Sequence, residues 1–158
     1  MDNETYAEKA EQLKARLYRI ALLYTGNETI AADAVAEAIY RGLLSAKKIR
    51  EPAFFETWMT RILINECKKA WNRVKSRREE PIETLTEQAA EAFDSLPLKE
   101  AIRQLPHELR EVVILRYYSD FTLAETAKVL NIPQGTTATR QRRALKLLRL
   151  ELLEEDTK

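Results

Sequence analysis

The stretch NIPQGTTATRQRRALKLLR, near the carboxyl end of the chain, combines cations and hydroxyls in a pattern suited to nucleic acid. Five basic residues and no acidic residue stand between Asn131 and Leu150, and a glycine and three threonines precede the first arginine, Arg140. Arginine can bind guanine through two hydrogen bonds, short hydroxyls can bind a phosphate or a base, and the exposed amides at a helix start favour phosphate. The stretch therefore predicts a helix that binds duplex DNA.

The residues before this stretch predict the partner helix that positions it. Thr122-Leu-Ala-Glu125 is a capping box that opens a helix ending near Leu130, and NIPQG is a tight break before a last helix running to about Leu153. Residues 122–149 thus fit a helix-turn-helix, whose second helix enters the major groove front end first. Apolar residues are expected to face the partner helix or to fill the corner: Leu123, Ala127, Leu130 and Ile132.

The alternative is an amphipathic terminal helix whose arginines are solvated and whose threonines serve only as caps. The absence of any acidic residue from 131 to 150, beside a capped helix of the right length, favours the DNA-binding interpretation.

A second basic stretch, FFETWMTRILINECKKAWNRVKSRR, predicts a long helix with a buried apolar stripe. The stripe comprises Phe55, Met59, Ile62, Leu63, Cys67, Ala70 and Val74. Aromatic residues, an amide and cations share the rest of the helix: Trp58, Arg61, Asn65, Lys68, Lys69, Trp71, Arg73, Lys75, Arg77 and Arg78. A basic groove with stacking aromatics suits single-stranded nucleic acid. The alternative is that the two tryptophans are core residues.

Two further helices and a loop must position this basic helix. Thr5 with Glu8 predicts a capping box for a first helix that ends at Gly26, and Asn27 predicts the cap of a second helix. The stretch AKKIREPAF then interrupts the helical period, and Pro52 suits the first turn of a helix that follows. The expected inward residues of the two helices are Leu13, Leu17, Ile20, Tyr24, Ile30, Ala34, Ala38 and Leu43.

Charge is distributed unevenly along the chain, although the net charge is only +1. Residues 47–78 hold ten basic and three acidic residues, whereas residues 79–100 hold seven acidic and one basic. The acidic stretch EEPIETLTEQAAEAFDS contains Pro81 and loses the strong helical period, so it predicts a linker. We predict an all-α chain of two small helical domains, residues 1–78 and 97–158, joined by a flexible acidic linker over residues 79–96.

The composition excludes several classes of function. Cys67 is the only cysteine and His107 the only histidine, which excludes an internal disulfide and argues against a zinc site. With no glycine-rich phosphate loop and scattered carboxylates, we expect no enzyme activity, no cofactor and no metal. No apolar run approaches a membrane span, and the acidic start lacks a signal-peptide pattern. We therefore expect a cytoplasmic protein without direct membrane insertion.

Two longer stretches resemble the extracytoplasmic-function group of bacterial sigma factors, the promoter-recognition subunits of RNA polymerase. TIAADAVAEAIYRGL followed by FFETWMTRILINECKKAW resembles the family's second region, and LPHELREVVILRYYSDFTLAETAKVLNIPQGTTATRQRRALKLL resembles its fourth. Both occur in the family's order and together cover most of the chain. The resemblance implies as partners the bacterial core RNA polymerase, promoter DNA in duplex and single-stranded form, and an anti-sigma factor.

The resemblance also implies roles for individual residues. The family's second region docks on the largest polymerase subunit, and its docking motif matches Asp33 and Glu37. The same region captures melted bases of the minus-ten element, which implies contacts from the loop residues Lys47, Lys48, Ile49 and Arg50 and from Asn65. From the basic composition of the long helix we expect Arg61, Lys68 and Lys69 to contact the same strand. The fourth region reads the duplex minus-thirty-five element, which carries over to Thr136, Thr139, Arg140, Arg142 and Arg143.

Two residues depart from the family pattern in the last helix. Thr137 and Gln141 stand where the family usually has apolar residues facing the helix-turn-helix core. A buried polar group without a partner costs about 1–3 kcal/mol, so we expect either hydrogen-bond partners for both or a slightly rotated helix.

Two other functions are compatible with a helix-turn-helix. One is a conventional transcriptional regulator that does not act as a polymerase subunit, and the other is a structural helical adaptor. A regulator would carry a receiver or ligand domain where this chain has FFETWMTRILINECKKAW, so the sigma-factor interpretation is favoured.

Overall fold

The computed structural model describes residues 1–76 and 96–156, with side chains described for residues 1–73 and 98–149. These residues form helices and short helical turns and contain no strand, which confirms the all-α prediction for the described ranges. The chain divides into two compact units, Met1–Thr84 and Leu85–Lys158. The predicted linker lies outside the described residues apart from its last residue, Leu96.

The first unit is built from three helices: α1 (Asn3–Thr25), α2 (Glu28–Ser45) and α3 (Phe55–Ser76). Two 3₁₀ turns, Ala46–Lys48 and Pro52–Phe54, connect α2 to α3. Each helix packs against the other two, and their shared core contains apolar side chains from all three: Tyr6, Leu17, Ile20, Tyr24, Ala34, Ala38, Met59, Leu63 and Cys67.

Local signals in the sequence set most boundaries of these helices. Gly26 ends α1 in the left-handed conformation, with φ of 69°, and Asn27 caps α2 by accepting a hydrogen bond from the Ile30 amide at 3.0 Å. The predicted Thr5–Glu8 capping box is wrong. Helix α1 begins earlier, at Asn3, and Asp2 caps it by accepting from the Thr5 amide at 2.7 Å.

The predicted apolar stripes are mostly buried. Ala34 and Ala38 of α2 and Phe55, Met59, Leu63, Cys67 and Ala70 of α3 lie in the core, and Leu13, Ile30 and Ile62 are half-buried. Leu43 is 40% exposed, so its assignment to the core is wrong. It follows Gly42, which lies against α1 and α3, and the turn of the helix carries the next side chain outward.

The second unit contains α4 (Leu96–Gln104), α5 (His107–Val113), α6 (Leu123–Leu130) and α7 (Gln134–Asp156). Helix α7 packs against the other three, and its Ala144 and Leu148 enter a core with residues from α4, α5 and the turn between them: Ala101, Ile102, Leu105, Leu109 and Val113. Helix α7 extends slightly beyond the predicted end near Leu153.

The segment of residues 107–118 has two helical parts. Residues His107–Val113 are α-helical, and Ile114–Tyr118 form a π-helical turn in which the Ser119 amide donates to the Ile114 carbonyl at 3.0 Å. Asp120 then adopts a left-handed conformation with φ of 56° before α6 begins. Such turns change the direction in which side chains project, and here the turn carries Arg116.

Helices α6 and α7 form the predicted helix-turn-helix. Thr122 and Glu125 form the capping box: the Thr122 hydroxyl accepts from the Glu125 amide at 3.1 Å, and the Glu125 carboxylate accepts from the Thr122 amide at 2.9 Å. Asn131 ends α6 in the left-handed conformation, and three residues, 131–133, separate the two helices. Ala127 and Leu130 are buried, and Leu123 and Ile132 are half-buried, as the corner requires.

Candidate nucleic-acid interface

The front of α7 presents three of the five predicted duplex-binding residues on its exposed surface. Thr139, Arg142 and Arg143 are exposed, and Thr136 is half-buried. The Thr139 hydroxyl donates to the Gly135 carbonyl at 3.0 Å and accepts from Arg142 at 3.4 Å. This side of α7 therefore offers a hydroxyl and two guanidinium groups to a ligand.

Arg140 has a different environment from the other arginines of α7. Its side chain is 22% exposed, and one guanidinium nitrogen lies 3.9 Å from Glu108 of α5, whose side chain is 70% exposed. This long, half-exposed pair is weak, and surface pairs of this kind contribute little to stability. Arg140 can thus exchange Glu108 for a DNA phosphate with little loss of folding stability.

The two polar residues at core positions of α7 both have partners. Thr137 is fully buried, and its hydroxyl donates to the Pro133 carbonyl at 3.1 Å. Gln141 accepts a hydrogen bond at 2.8 Å from Arg116, whose guanidinium also donates to the Phe121 carbonyl at 2.6 Å. Of the two expected outcomes, hydrogen-bond partners are therefore present. Arg116 is a residue that the sequence analysis missed, because its contact with Gln141 spans 25 residues.

The loop between α2 and α3 holds three exposed cations. Lys47, Lys48 and Arg50 point to solvent, whereas Ile49 is half-buried. The Ile49 amide donates to the Ala46 carbonyl at 3.1 Å, and Ala46 itself is fully buried. The loop is thus anchored at Ala46, while its charged side chains remain available to a ligand.

Phe54 is a second residue that sequence reasoning did not select. It is 56% exposed, whereas its neighbour Phe55 is 5% exposed and packs edge-on against Tyr6. An exposed aromatic ring beside cations is a suitable platform for a nucleic-acid base. The pair of phenylalanines in the sequence was the only signal, and it does not say which ring faces outward.

Helix α3 carries a polar stripe along one side. Arg61 and Asn65 are exposed and lie four residues apart, Lys69 follows after four more and is also exposed, and Lys68 is half-buried. Trp58 is half-buried and packs against Phe55 with ring centroids 6.1 Å apart, so part of its ring belongs to the core. The stripe combines one amide with cations, which is the composition expected for contact with a nucleic-acid strand.

Asp33 and Glu37 lie on α2 at the edge of a groove. Asp33 is exposed, and Glu37 accepts a hydrogen bond at 3.0 Å from Arg41, one turn further along the helix. The groove runs between α2 and α3 and has a volume of about 810 Å³. Its lining combines both charge signs: Asp33, Ala36, Glu37, Arg41, Glu66, Lys69, Asn72 and Arg73.

Two classes of site are absent from the described part of the chain. No group of three or more histidine, cysteine, aspartate or glutamate side chains there could hold a metal ion. Among the helices described, none has the length and apolar character needed to cross a membrane.

Two family models match the chain, one in each unit. Residues 10–78 match Sigma-70 region 2, and residues 101–150 match Sigma-70, region 4. The sequence is 32% identical over 146 residues to the RNA polymerase sigma factor SigV of Bacillus subtilis, covering 90% of this chain and 88% of that protein. It is 31% identical over 149 residues to the ECF RNA polymerase sigma factor SigL of Mycobacterium tuberculosis, covering 89% and 84%.

Solved structures share the fold at lower sequence identity. The sigma factor RpoE of Bartonella quintana, crystallised in complex with the anti-sigma factor NepR, matches with a TM-score of 0.78 and 21% identity, over 94% of this chain and 97% of that one. CnrH, in complex with the cytosolic domain of CnrY, matches with a TM-score of 0.71 and 19% identity, over 98% and 91%.

Proposed function

The chain belongs to the extracytoplasmic-function group of RNA polymerase sigma factors, and from this membership we propose how its residues divide promoter recognition. As a sigma factor it directs core polymerase to specific promoters and initiates transcription there. We assign residues 1–78 to polymerase docking and minus-ten recognition, residues 79–96 to a linker, and residues 97–158 to minus-thirty-five recognition.

The observation that carries this division is the separation of two basic surfaces onto two units. One is the stripe of α3 with its neighbouring loop, and the other is the front of α7. A conventional helix-turn-helix regulator would need only the second surface. The presence of both favours a protein that contacts a melted strand and a duplex at once.

Asp33 and Glu37 form the proposed docking surface for core polymerase. Two carboxylates four residues apart on a helix repel each other by a few tenths of a kcal/mol, and a cationic partner surface converts that repulsion into attraction. Arg41 neutralises Glu37 in part, through a contact of 3.0 Å, while Asp33 stays exposed for the partner.

The melted minus-ten strand is assigned to the α2–α3 loop and the α3 stripe. Lys47, Lys48 and Arg50 hold phosphates, and Ile49 offers an apolar surface. Arg61, Lys68 and Lys69 continue the phosphate contacts along α3, and Asn65 reads a base edge. To these we add Phe54, whose exposed ring is positioned to stack on an unpaired base.

The upstream duplex is assigned to α7. Thr136 and Thr139 lie near its amino end, where hydroxyls and backbone amides contact phosphate, and Arg140, Arg142 and Arg143 follow within two turns. Loss of a phosphate contact reduces the salt dependence of binding by about 0.9 in the log–log slope, whereas loss of a base contact relaxes preference at one position.

The proposal also covers the control of the chain, its location in the cell and its lack of catalytic activity. We infer control by an anti-sigma factor, because the RpoE structure that shares this fold contains one. We also infer a cytoplasmic location, where core polymerase is found, and no reaction catalysed by the chain itself. The chain contributes to initiation by binding core polymerase and promoter DNA.

Run-off transcription with bacterial core polymerase on a randomised promoter library tests the proposed function. We expect initiation that depends on the chain and selects both a minus-ten and a minus-thirty-five element. Tight sequence-specific binding by the isolated chain, with no effect on core polymerase, would identify a conventional regulator instead.

Variants separate the three assigned surfaces. Asp33→Lys with Glu37→Lys is expected to abolish binding to core polymerase, while the matched reversal Glu4→Lys with Glu8→Lys on α1 leaves it intact.

Asn65→Ala should relax preference at the minus-ten element only. A defect that is equal at every promoter sequence would refute base reading by Asn65.

Arg143→Ala should weaken upstream recognition, with Lys146→Ala on the same helix as the control.

A further inference from the structure

Four charged side chains form a continuous ladder between α2 and α3. Arg41 Nε lies 3.0 Å from Glu37 Oε1 and 3.0 Å from Glu66 Oε1. Lys69 Nζ lies 3.3 Å from the same Glu66 oxygen. The ladder thus joins Glu37, a proposed docking carboxylate, to Lys69, a proposed contact of the melted strand.

Competition exists at two points of this ladder. The Nε atom of an arginine carries a single hydrogen, which Arg41 donates to Glu37, while an oxygen of Glu66 lies at the same distance of 3.0 Å from that nitrogen. In the same way, one oxygen of Glu66 serves two cations, Arg41 and Lys69. A change in the partner of one member therefore alters the contacts of the next.

Burial distinguishes the inner member of the ladder from the outer ones. The Glu66 side chain is 5% exposed, while those of Glu37 and Lys69 are 46% and 56% exposed. A carboxylate as buried as Glu66 requires a cation beside it, because an uncompensated buried charge is strongly destabilising. Glu37 and Lys69 can instead turn to other partners without leaving a charge buried.

We propose that Arg41 and Glu66 are positioning residues that link polymerase docking at Glu37 to strand binding by Lys69; this rests on the proposed function of those two residues. In the free chain, Arg41 is divided between two carboxylates, so Glu66 also holds Lys69. A polymerase cation at Glu37 replaces Arg41 there, and Arg41 then serves Glu66 alone. Lys69 is released to a strand phosphate.

The coupling acts in both directions. A phosphate that draws Lys69 away from Glu66 strengthens the hold of Glu66 on Arg41, which leaves Glu37 open to the polymerase. Reciprocity of this kind is required of any coupling between two binding equilibria. The ladder therefore favours simultaneous engagement of polymerase and melted DNA over either one alone.

The test measures how much Lys69 contributes to strand binding when its neighbours are changed. The probe is a fluorescein-labelled single-stranded DNA pool of randomised sequence, since a phosphate contact does not depend on sequence. Anisotropy titrations use the complex of the full chain with core polymerase. Lys69→Ala is introduced into four backgrounds: the unchanged chain, Arg41→Gln, Glu66→Gln, and the variant with both changes.

In the unchanged complex, Lys69→Ala is expected to weaken binding several-fold and to flatten the salt slope by about 0.7. In the Arg41→Gln background Glu66 retains Lys69, so Lys69→Ala should have almost no effect. Its effect should return in both backgrounds that contain Glu66→Gln. We expect the contributions with and without Arg41 to differ by about fivefold or more, the range of ordinary coupling.

Affinity for core polymerase and thermal stability provide the controls. Arg41→Gln should strengthen polymerase binding while it weakens strand binding, a split that a general loss of structure does not produce. Arg16→Gln, which removes a 3.2 Å ion pair with Glu56 elsewhere in the unit, should leave the Lys69 contribution intact. Thermal unfolding of each variant establishes that it is folded at the assay temperature.

The outcomes separate the coupling from the function on which it rests. An equal effect of Lys69→Ala in all four backgrounds would reject the coupling and leave Lys69 as a strand contact. No effect of Lys69→Ala in the unchanged complex would show that Lys69 does not bind the strand, and the coupling would fail with that assignment.

Discussion

Gly42 lies where α1 and α3 both approach α2. A methyl group at this position would overlap the hydroxyl oxygen of Tyr6 and lie 2.9 Å from the sulfur of Met59. Tyr6 cannot move away easily, because it is 2% exposed and its hydroxyl donates to the Ile39 carbonyl at 2.6 Å. The close packing of the three helices thus depends on one missing side chain.

Gly42→Ala is therefore expected to destabilise the first unit. Overpacking costs about 1–3 kcal/mol, of which the better helix propensity of alanine offsets ~1 kcal/mol. Denaturant unfolding measures the difference. Gly135→Ala should instead raise stability, because a methyl group added at this helical glycine would meet nothing within 4 Å beyond its own helix backbone. Adding Tyr6→Phe should relieve most of the loss, and an unrelieved loss would locate the clash elsewhere.

Burial also sets the ionisation of two groups in the same core. It raises the pKa of Tyr6 to about 12, and burial, with Glu66 next to it, raises the pKa of the Cys67 thiol well above its usual 9.0. Both groups are neutral when protonated, and the folded state keeps their protons to a higher pH than the unfolded state. The free energy of unfolding should therefore fall as pH rises above about 9, first through Cys67 and then, above about 10, through Tyr6.

Denaturation midpoints measured from neutral to alkaline pH check this order. Cys67→Ala should remove the part of the decline that begins near pH 9, the ordinary pKa of a thiol. Tyr6→Phe should remove the part that begins near pH 10, the ordinary pKa of a phenol. If the decline has the same slope in both variants and in the unchanged chain, other groups control alkaline stability.

At the scale of helices, two short motifs of the same Thr-x-Ala-Glu pattern have different outcomes. Thr122-Leu-Ala-Glu125 forms a capping box, whereas Thr5-Tyr-Ala-Glu8 lies inside α1, which Asp2 caps. Thr122 has extended backbone angles, with φ of −66° and ψ of 166°, while Thr5 is already helical. Only the threonine outside the helix can serve as its cap.

Thr122→Ala should consequently destabilise α6 by about 1 kcal/mol, and Asp2→Ala should loosen the first turn of α1, while Thr5→Ala should have little effect on α1. Hydrogen exchange of peptides from α1 and α6 measures these effects separately in the intact chain. A large loss of protection in α1 with Thr5→Ala would contradict the assignment of Asp2 as the cap.

At the scale of the whole molecule, a net charge of +1 conceals two separate basic surfaces. Each belongs to a different compact unit of the chain. Small modules of this kind bind weakly alone and gain affinity when they are tethered on one platform. We therefore attribute promoter affinity to the complex with core polymerase.

Because the two surfaces share no side chains, the losses of binding free energy caused by variants in each surface should add. In the polymerase complex, the free-energy cost of Asn65→Ala with Arg143→Ala is expected to equal the sum of the single costs within about 0.5 kcal/mol. Competition binding to one promoter measures all three variants. A double variant no worse than the more defective single one would mean that the two contacts do not act at the same promoter complex.

The sequence alone determined the features that depend on neighbouring residues. Gly26, Asn27 and the Thr122 capping box set helix ends through backbone geometry and bonds within a few residues, and the 3.6-residue period selected most of the buried stripe of α3. The family resemblance then gave the order of the two DNA-binding regions, which the matches to residues 10–78 and 101–150 confirm.

Tertiary structure decided the features that depend on residues far apart in the chain. It exposes Phe54 and buries Phe55, whose ring packs edge-on against Tyr6 of α1. It gives Gln141 a partner in Arg116, and it brings Arg41 of α2 to Glu66 of α3. No local pattern encodes these pairs, because a side chain's direction and its partner are fixed only when the helices pack.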